Sequence, residues 1–217
     1  MNPPPVTATA PRRVLGLDPG LQTAGYGVLE YSDRGPRVVD AGVIRSAEGR
    51  DPADMARRLK ALYDGLCEVL TEWHPYAMAV EQLYAHYEHP RTAILMAHAR
   101  GVFLLAGGQH NIPVISYAAT KVKKLVTGSG RASKEQMQHA VARELNLAGP
   151  PEPHDVADAL GIALCHYFVT AGSGIMGGAR GATFTGVNMQ ALLGTEPDPD
   201  DISEDKDTED DTGAKSA

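Results

Sequence analysis

The chain has 217 residues, 43% of them hydrophobic, two cysteines and a formal charge of −7, proportions that suit one domain with a sizeable core. Cys67 and Cys165 stand without C-x-x-C or Cys/His spacing, which excludes a disulfide framework and a structural zinc site. No uncharged apolar run reaches membrane-spanning length, and the Pro-, Thr- and Ala-rich start lacks the apolar core of a secretory signal, so a cytoplasmic location is expected.

Three strand-like runs come first, at residues 13–17, 25–31 and 38–44, joined by turns bearing Pro or Gly. Their short spacing predicts an antiparallel meander. Leu59, Leu62, Leu66, Val69 and Trp73 then recur at helical steps, predicting an amphipathic helix over 54–73 that stops before Pro75. A buried strand is expected at 76–80, a helix from about 92 to 106, a strand at 113–117, and helices at 118–126, 133–145 and 154–171. A meander followed by alternating helices and strands implies an α/β fold, a mixed sheet with helices on its faces. Residues 1–11 and the Gly-rich, then acidic, stretch 172–217 read as disordered extensions of a folded domain at 12–171.

Four acids punctuate this order. Asp18 closes the first strand and Glu81 closes the fourth; Asp155 and Asp158 lie three apart in the last helix, on one face. Each has a plainer reading: an Asp-Pro-Gly turn for Asp18, an exposed strand end for Glu81, helix capping for Asp155. Asp158, among Val156, Ala157, Ala159 and Leu160, needs a partner or a metal. Two carboxylates about 4 Å apart repel by roughly 4 kcal/mol at an effective dielectric of 20. Bringing four together therefore calls for cations, and carboxylate-only ligation favours Mg²⁺ or Mn²⁺ over Zn²⁺.

The net charge conceals a basic body. Residues 196–211 hold ten Asp and Glu, and without residues 195–217 the balance is 18 basic to 17 acidic groups, or +1. The stretch 89–134 has no acid but carries Arg91, Arg100, Lys121, Lys123, Lys124, Arg131 and Lys134, either a footprint for a phosphate backbone or a solvated basic face. The acidic tail is expected to compete weakly with a phosphate backbone for that surface.

With Leu-Gly-Leu-Asp-Pro-Gly at 15–20, Gly25-Tyr26-Gly27, Val-Glu-Gln-Leu-Tyr at 80–84, Ala99-Arg100-Gly101, Tyr117-Ala118-Ala119, Gly128-Ser-Gly130 with Lys134, Gln138-His139 and Asp155-Val-Ala-Asp158-Ala-Leu in this order, the chain resembles the RuvC Holliday-junction resolvases over roughly 13–171. The resemblance implies an RNase H-like nuclease domain at 12–171 and a homodimer. It also implies an endonuclease that resolves four-way DNA junctions in recombination and repair by paired nicks, with two Mg²⁺ ions per active site and Mn²⁺ as a substitute. A branch-migration motor, RuvA with RuvB, is the implied partner. By position, Asp18, Glu81, Asp155 and Asp158 look like the catalytic, metal-binding quartet, although some relatives have His where Asp155 stands. Tyr84 matches an aromatic residue that stacks on a base, and Lys123 and Lys134 match basic residues near the scissile phosphate. Arg91, Lys121, Lys124 and Arg131 are the further DNA-binding candidates. His154 is either a group beside the ligands or an exposed residue at a helix start.

Two rival classes are weighed against this reading. A sugar-kinase-like or actin-like ATPase also begins with an apolar strand and an Asp-x-Gly turn, but needs a duplicated domain; and Gly128-Ser-Gly130-Arg131 is not a Walker loop. A catalytically idle nucleic-acid-binding protein of the same fold would not need all four acids.

Overall fold

The computed structural model describes residues 11–46, 54–83 and 90–172. The elements are β1 (Arg13–Asp18), β2 (Thr23–Ser32), β3 (Gly35–Arg45), α1 (Met55–Trp73), β4 (Ala77–Glu81), α2 (Pro90–Gln109), β5 (Val114–Tyr117), α3 (Ala119–Thr127), α4 (Lys134–Glu144) and α5 (His154–Gly172). The expected extensions at 1–11 and 172–217 fall almost wholly outside the described residues, as does Tyr84.

The strands form one sheet in the order β3-β2-β1-β4-β5. β1, β2 and β3 pair antiparallel, as their short connections require, whereas β4 runs parallel to β1 and β5 parallel to β4. Strand alternation sorts the side chains onto two cores. Leu15, Leu17, Val28, Met78 and Val80 point to one face, covered by α1 and α2 through Leu62, Leu66, Ala99 and Phe103. Val14, Leu29, Ala79 and Tyr117 point to the other, covered by α3, α4 and α5. Cys67 is half-buried and Cys165 buried, both as free thiols. Among the described residues, no helix is long and apolar enough to cross a membrane.

Three elements differ from their sequence expectation. α2 runs through Gly107 and Gly108 to Gln109, past the point where glycines suggest a stop. A Cβ on Gly107 would stand 2.7 Å from Val114 Cγ2 and 2.9 Å from the Met78 methyl, so packing against the sheet selects glycine inside the helix and outweighs its poor propensity. β2 and β3 extend to Ser32 and from Gly35, closing a tight hairpin in which Ser32 Oγ donates to Gly35 O at 2.7 Å and Gly35 takes φ 111°. Their register shifts at Val28/Leu29. α1, by contrast, ends as expected: His74 caps it in a left-handed conformation, φ 46°, and Pro75 follows.

A chain of polar groups threads the core under α5. Tyr117 Oη lies 2.9 Å from His166 Nδ1, His166 Nε2 is 2.9 Å from Tyr76 Oη, Tyr76 Oη is 2.8 Å from Tyr31 Oη, and Tyr31 Oη is 3.0 Å from Thr170 Oγ1. Thr170 donates its only hydroxyl hydrogen to the carbonyls of His166 and Tyr167. It must therefore accept from Tyr31, which accepts from Tyr76, which accepts from His166 Nε2–H, leaving Nδ1 to accept from Tyr117. Every bond in the chain is satisfied when His166 is neutral. Burial holds its pKa down at about 4, with the nearby Arg12 charge acting the same way.

Candidate active site

The site grows from the ends of β1 and β4. In the parallel ladder Gly16 pairs with Ala79 and Leu17 with Val80, so Asp18 and Glu81 follow as neighbours whose side chains emerge on the α5 face. On the other side of β1, Asp18 pairs with Gly25 of β2.

Glycines let α5 settle onto these strands. A Cβ on Gly16 would stand 2.1 Å from Ala159 O, one on Gly25 1.9 Å from Asp155 O, and one on Gly27 2.6 Å from Leu160 Cδ2. Helix backbone thus rests on strand backbone, a separation that any side chain would prevent. Because Gly25 stands opposite Asp18, the first turn of α5 arrives beside it. The loop before α5 is tied down by Gln138 Nε2, which donates to Pro151 O at 3.0 Å. The peptide between Glu152 and Pro153 is cis.

All four predicted acids are half-buried and share one electrostatic field. The Asp18 carboxyl is pushed up to about 8, chiefly by burial and then by the charges of Glu81, Asp158 and Asp155; protonated, it donates a hydrogen bond to Glu81. Glu81 is raised, first by burial and also by Asp158, against the hydrogen bond from Asp18 and the charge of Lys123. Burial also raises Asp158, against the pull of Lys134, His154 and Lys123. Among the described residues, no three His, Cys, Asp or Glu side chains are drawn into a ready-made metal cage. Carboxylates brought together relieve their repulsion by sharing a proton, as Asp18 and Glu81 do through their hydrogen bond. The donor set is all oxygen and anionic, which suits a hard divalent cation.

Beside the acids lies a cleft lined by Glu81 and Asp158, by Lys123 and Lys134, and by the apolar Val122, Met137 and Ile162. Lys123 projects from α3. Lys134 opens α4, whose start is fixed by a capping box in which Ser133 Oγ accepts from Gln136 N and Gln136 Oε1 accepts from Ser133 N. The remaining predicted basic residues do not line this cleft. Lys121 folds over the Tyr117 ring, 5.8 Å from its centre; Lys124, Arg131 and Arg91 are exposed on α3, the α3–α4 turn and the start of α2. His154 is exposed at the first position of α5, its charge felt by Asp158. Arg100, by sequence one of seven cations in the acid-free stretch, has specific partners here. Its Nε donates to the carbonyl oxygen of Glu81 at 3.1 Å and its Nη2 to Ser116 Oγ at 2.7 Å.

Residues 14–166 match the family model described as Crossover junction endodeoxyribonuclease RuvC. A protein of that name from Rhodopirellula baltica is 49% identical over 158 residues, covering 72% of this chain and 86% of the relative. Among solved structures, Thermus thermophilus RuvC superimposes with a TM-score of 0.66 at 33% identity, covering 75% of this chain and 96% of that one. Thermus thermophilus RuvC in complex with Holliday junction substrate gives 0.65 at 30% identity, with the same coverage.

Proposed function

The chain belongs to the RuvC family of crossover junction endodeoxyribonucleases, and on that premise we propose that it resolves four-way DNA junctions by paired symmetric nicks, with Asp18, Glu81, Asp155 and Asp158 as its catalytic metal ligands. The observation that carries the reading is the convergence of four half-buried acids from β1, β4 and α5, Asp18 lying within the fields of Glu81, Asp158 and Asp155. Such a group is costly to the fold unless a cation replaces its proton. Two bound Mg²⁺ ions, or Mn²⁺ in their place, would activate a water and stabilise the leaving 3′-oxygen.

The chain's own residues divide the remaining work. Asp18 and Glu81 stand at the tips of adjacent strands, while Asp155 and Asp158 come from the first two turns of α5, whose distance from the sheet is set by Gly16 and Gly25. Lys123 and Lys134 line the same cleft as Glu81 and Asp158, where ammonium groups offset charge gathering on the phosphate oxygens. The apolar lining of Val122, Met137 and Ile162 lowers the local dielectric and strengthens both effects. Arg91, Lys121, Lys124 and Arg131 would grip the backbone further out, and Tyr84 would stack on a base at the branch point.

A homodimer supplies two such sites to a substrate that is itself close to two-fold symmetric. We place its contact on α2; of the small residues at 93, 97, 99 and 101 that would allow close helix approach, Ala99 is fully buried within this chain and is not available for it. Among the described residues, Ile94 and Leu105 are the exposed large hydrophobic ones, at 58% and 55%, and Gly101 between them has open space above it. At helical spacing these make one continuous stripe. Partnership with a RuvA–RuvB branch-migration motor belongs to the same reading.

The test is cleavage of a synthetic four-way junction beside linear duplex, flap and RNA/DNA hybrid controls, with and without Mg²⁺. Metal-dependent, symmetric cuts in the junction alone are expected. Metal-independent cleavage, or equal cutting of linear duplex, would overturn the reading.

A further inference from the structure

We propose that Arg100 is a positioning residue for Glu81, holding the tip of β4 so that this carboxylate meets the metal in register with Asp18. The proposal rests on the reading of Glu81 as a metal ligand.

Glu81 is the last residue of β4, and the ladder to β1 ends one residue earlier, at Leu17/Val80. On the other side the strand is held to its end, since Glu81 pairs with Tyr117 and Gln82 N donates to Tyr117 O at 2.8 Å. The Glu81 carbonyl is taken up by Arg100 Nε at 3.1 Å, while the same guanidinium donates through Nη2 to Ser116 Oγ of β5 at 2.7 Å. One rigid planar group thus bridges the ends of two adjacent strands. It is carried by α2, whose neighbouring residue Ala99 is wholly buried against the sheet, so the fork stands on a fixed base.

Both partners are neutral oxygens. The cation whose charge reaches the Glu81 carboxylate is Lys123, from the opposite face of the sheet. Arg100 therefore acts through the main chain. A carboxylate at a strand end pivots with its own peptide plane, and a pivot at Cα is magnified at the carboxylate oxygens. A metal shared between two strand tips and a helix is sensitive to such a pivot, and supporting groups of this kind typically contribute about 10- to 100-fold in metal affinity or activity.

The experiment compares full-length wild-type, Arg100→Met, Arg100→Lys and Ser116→Ala proteins. Mn²⁺ affinity is read directly from the spin-resonance signal of free Mn²⁺, and junction affinity is measured separately in EDTA. Arg100→Met should weaken Mn²⁺ binding about 10- to 100-fold while junction affinity stays within about two-fold. Arg100→Lys, which keeps the charge but not the fork, should fall between wild type and Arg100→Met, and Ser116→Ala should show a smaller loss of the same kind. Unchanged Mn²⁺ affinity in Arg100→Met overturns the proposal. So does a loss of junction affinity that Arg100→Lys restores in full, which would make Arg100 a DNA contact. If Arg100→Met does not fold, Arg100→Lys and Ser116→Ala decide, and wild-type Mn²⁺ affinity in both overturns it. Failure of wild-type protein to bind Mn²⁺ at all would instead sink the functional reading on which this rests.

Discussion

The carbonyl of Asp155 lies against Gly25, where a Cβ would come within 1.9 Å of its oxygen. The obstacle is main chain on both sides, so neither partner can turn away as a flexible side chain would. Gly25→Ala should force the first turn of α5 off the sheet, at a cost of about 1–3 kcal/mol or more in stability. Cleavage should fall further than the melting temperature explains, because Asp155 and Asp158 move with the helix. Gly27→Ala meets the Leu160 side chain instead and should cost less; equal activity losses in the two variants would contradict this account.

Asp18→Asn removes a carboxyl that three others repel. Cleavage should drop by about a thousand-fold or more, while junction affinity in EDTA stays within a few-fold, because shape and phosphate contacts hold the DNA. The metal-free variant should also melt higher than metal-free wild type, and Mg²⁺ should raise the melting temperature of wild type only. Near wild-type nicking would remove Asp18 from the site.

The same carboxyl predicts a pH signature. Its folded pKa of about 8 lies above the ordinary 3.8, so between those values the folded state binds more protons than the unfolded, and stability in EDTA declines as pH rises. The melting difference between wild type and Asp18→Asn should therefore widen from pH 4 to 8. Saturating Mg²⁺ should abolish the trend, and a difference independent of pH in EDTA would refute it.

His166 gives the opposite sign. Its folded pKa of about 4 lies below the ordinary 6.5, so the unfolded state binds the extra proton between these values, and stability is lost as pH falls through that window. His166→Gln can still donate to one tyrosine and accept from the other without titrating. Its melting temperature should fall less than that of wild type from pH 6.5 to 4, as followed by circular dichroism.

For the dimer, Leu105→Asp and Ile94→Asp place charge on exposed positions of α2 and should leave the melting temperature within a few degrees while shifting sedimentation from dimer to monomer. On a cruciform plasmid these variants should release singly nicked circles, where wild type gives paired cuts. Paired cutting by a protein that sediments as a monomer on the junction would rule out the symmetric arrangement.

Much of this architecture is legible in the sequence because alternation and helical spacing are local. The apolar run ending at Asp18, its counterpart ending at Glu81, and the three-residue step from Asp155 to Asp158 each give a position and a face without knowledge of the fold. What the sequence hides is contact across distance. Gly16, Gly25 and Gly27 look like weak points in strands until a helix is laid on them. Gly107 looks like a helix stop until Val114 and Met78 appear beneath it. Arg100 is indistinguishable from its basic neighbours because its partners, a carbonyl at 81 and a hydroxyl at 116, carry no charge pattern that composition could reveal.

The hydrogen-bonded run from Tyr117 through His166 to Thr170 bears on how the acids are aimed. From Val156 to Phe168, nearly every side chain of α5 is buried, Asp158 being the half-exposed exception, and a cylinder greasy all round can roll in its bed with little change in buried area. Directional bonds to His166 break that degeneracy and set the angle of roll. His166 sits about three turns, on the order of 16 Å, along the axis from Asp155, so the helix behaves as a shaft clamped at one end and fitted with a tool at the other. A substitution at Tyr76, just before β4 and remote from Glu81, should register as a misaligned tool rather than as a looser core.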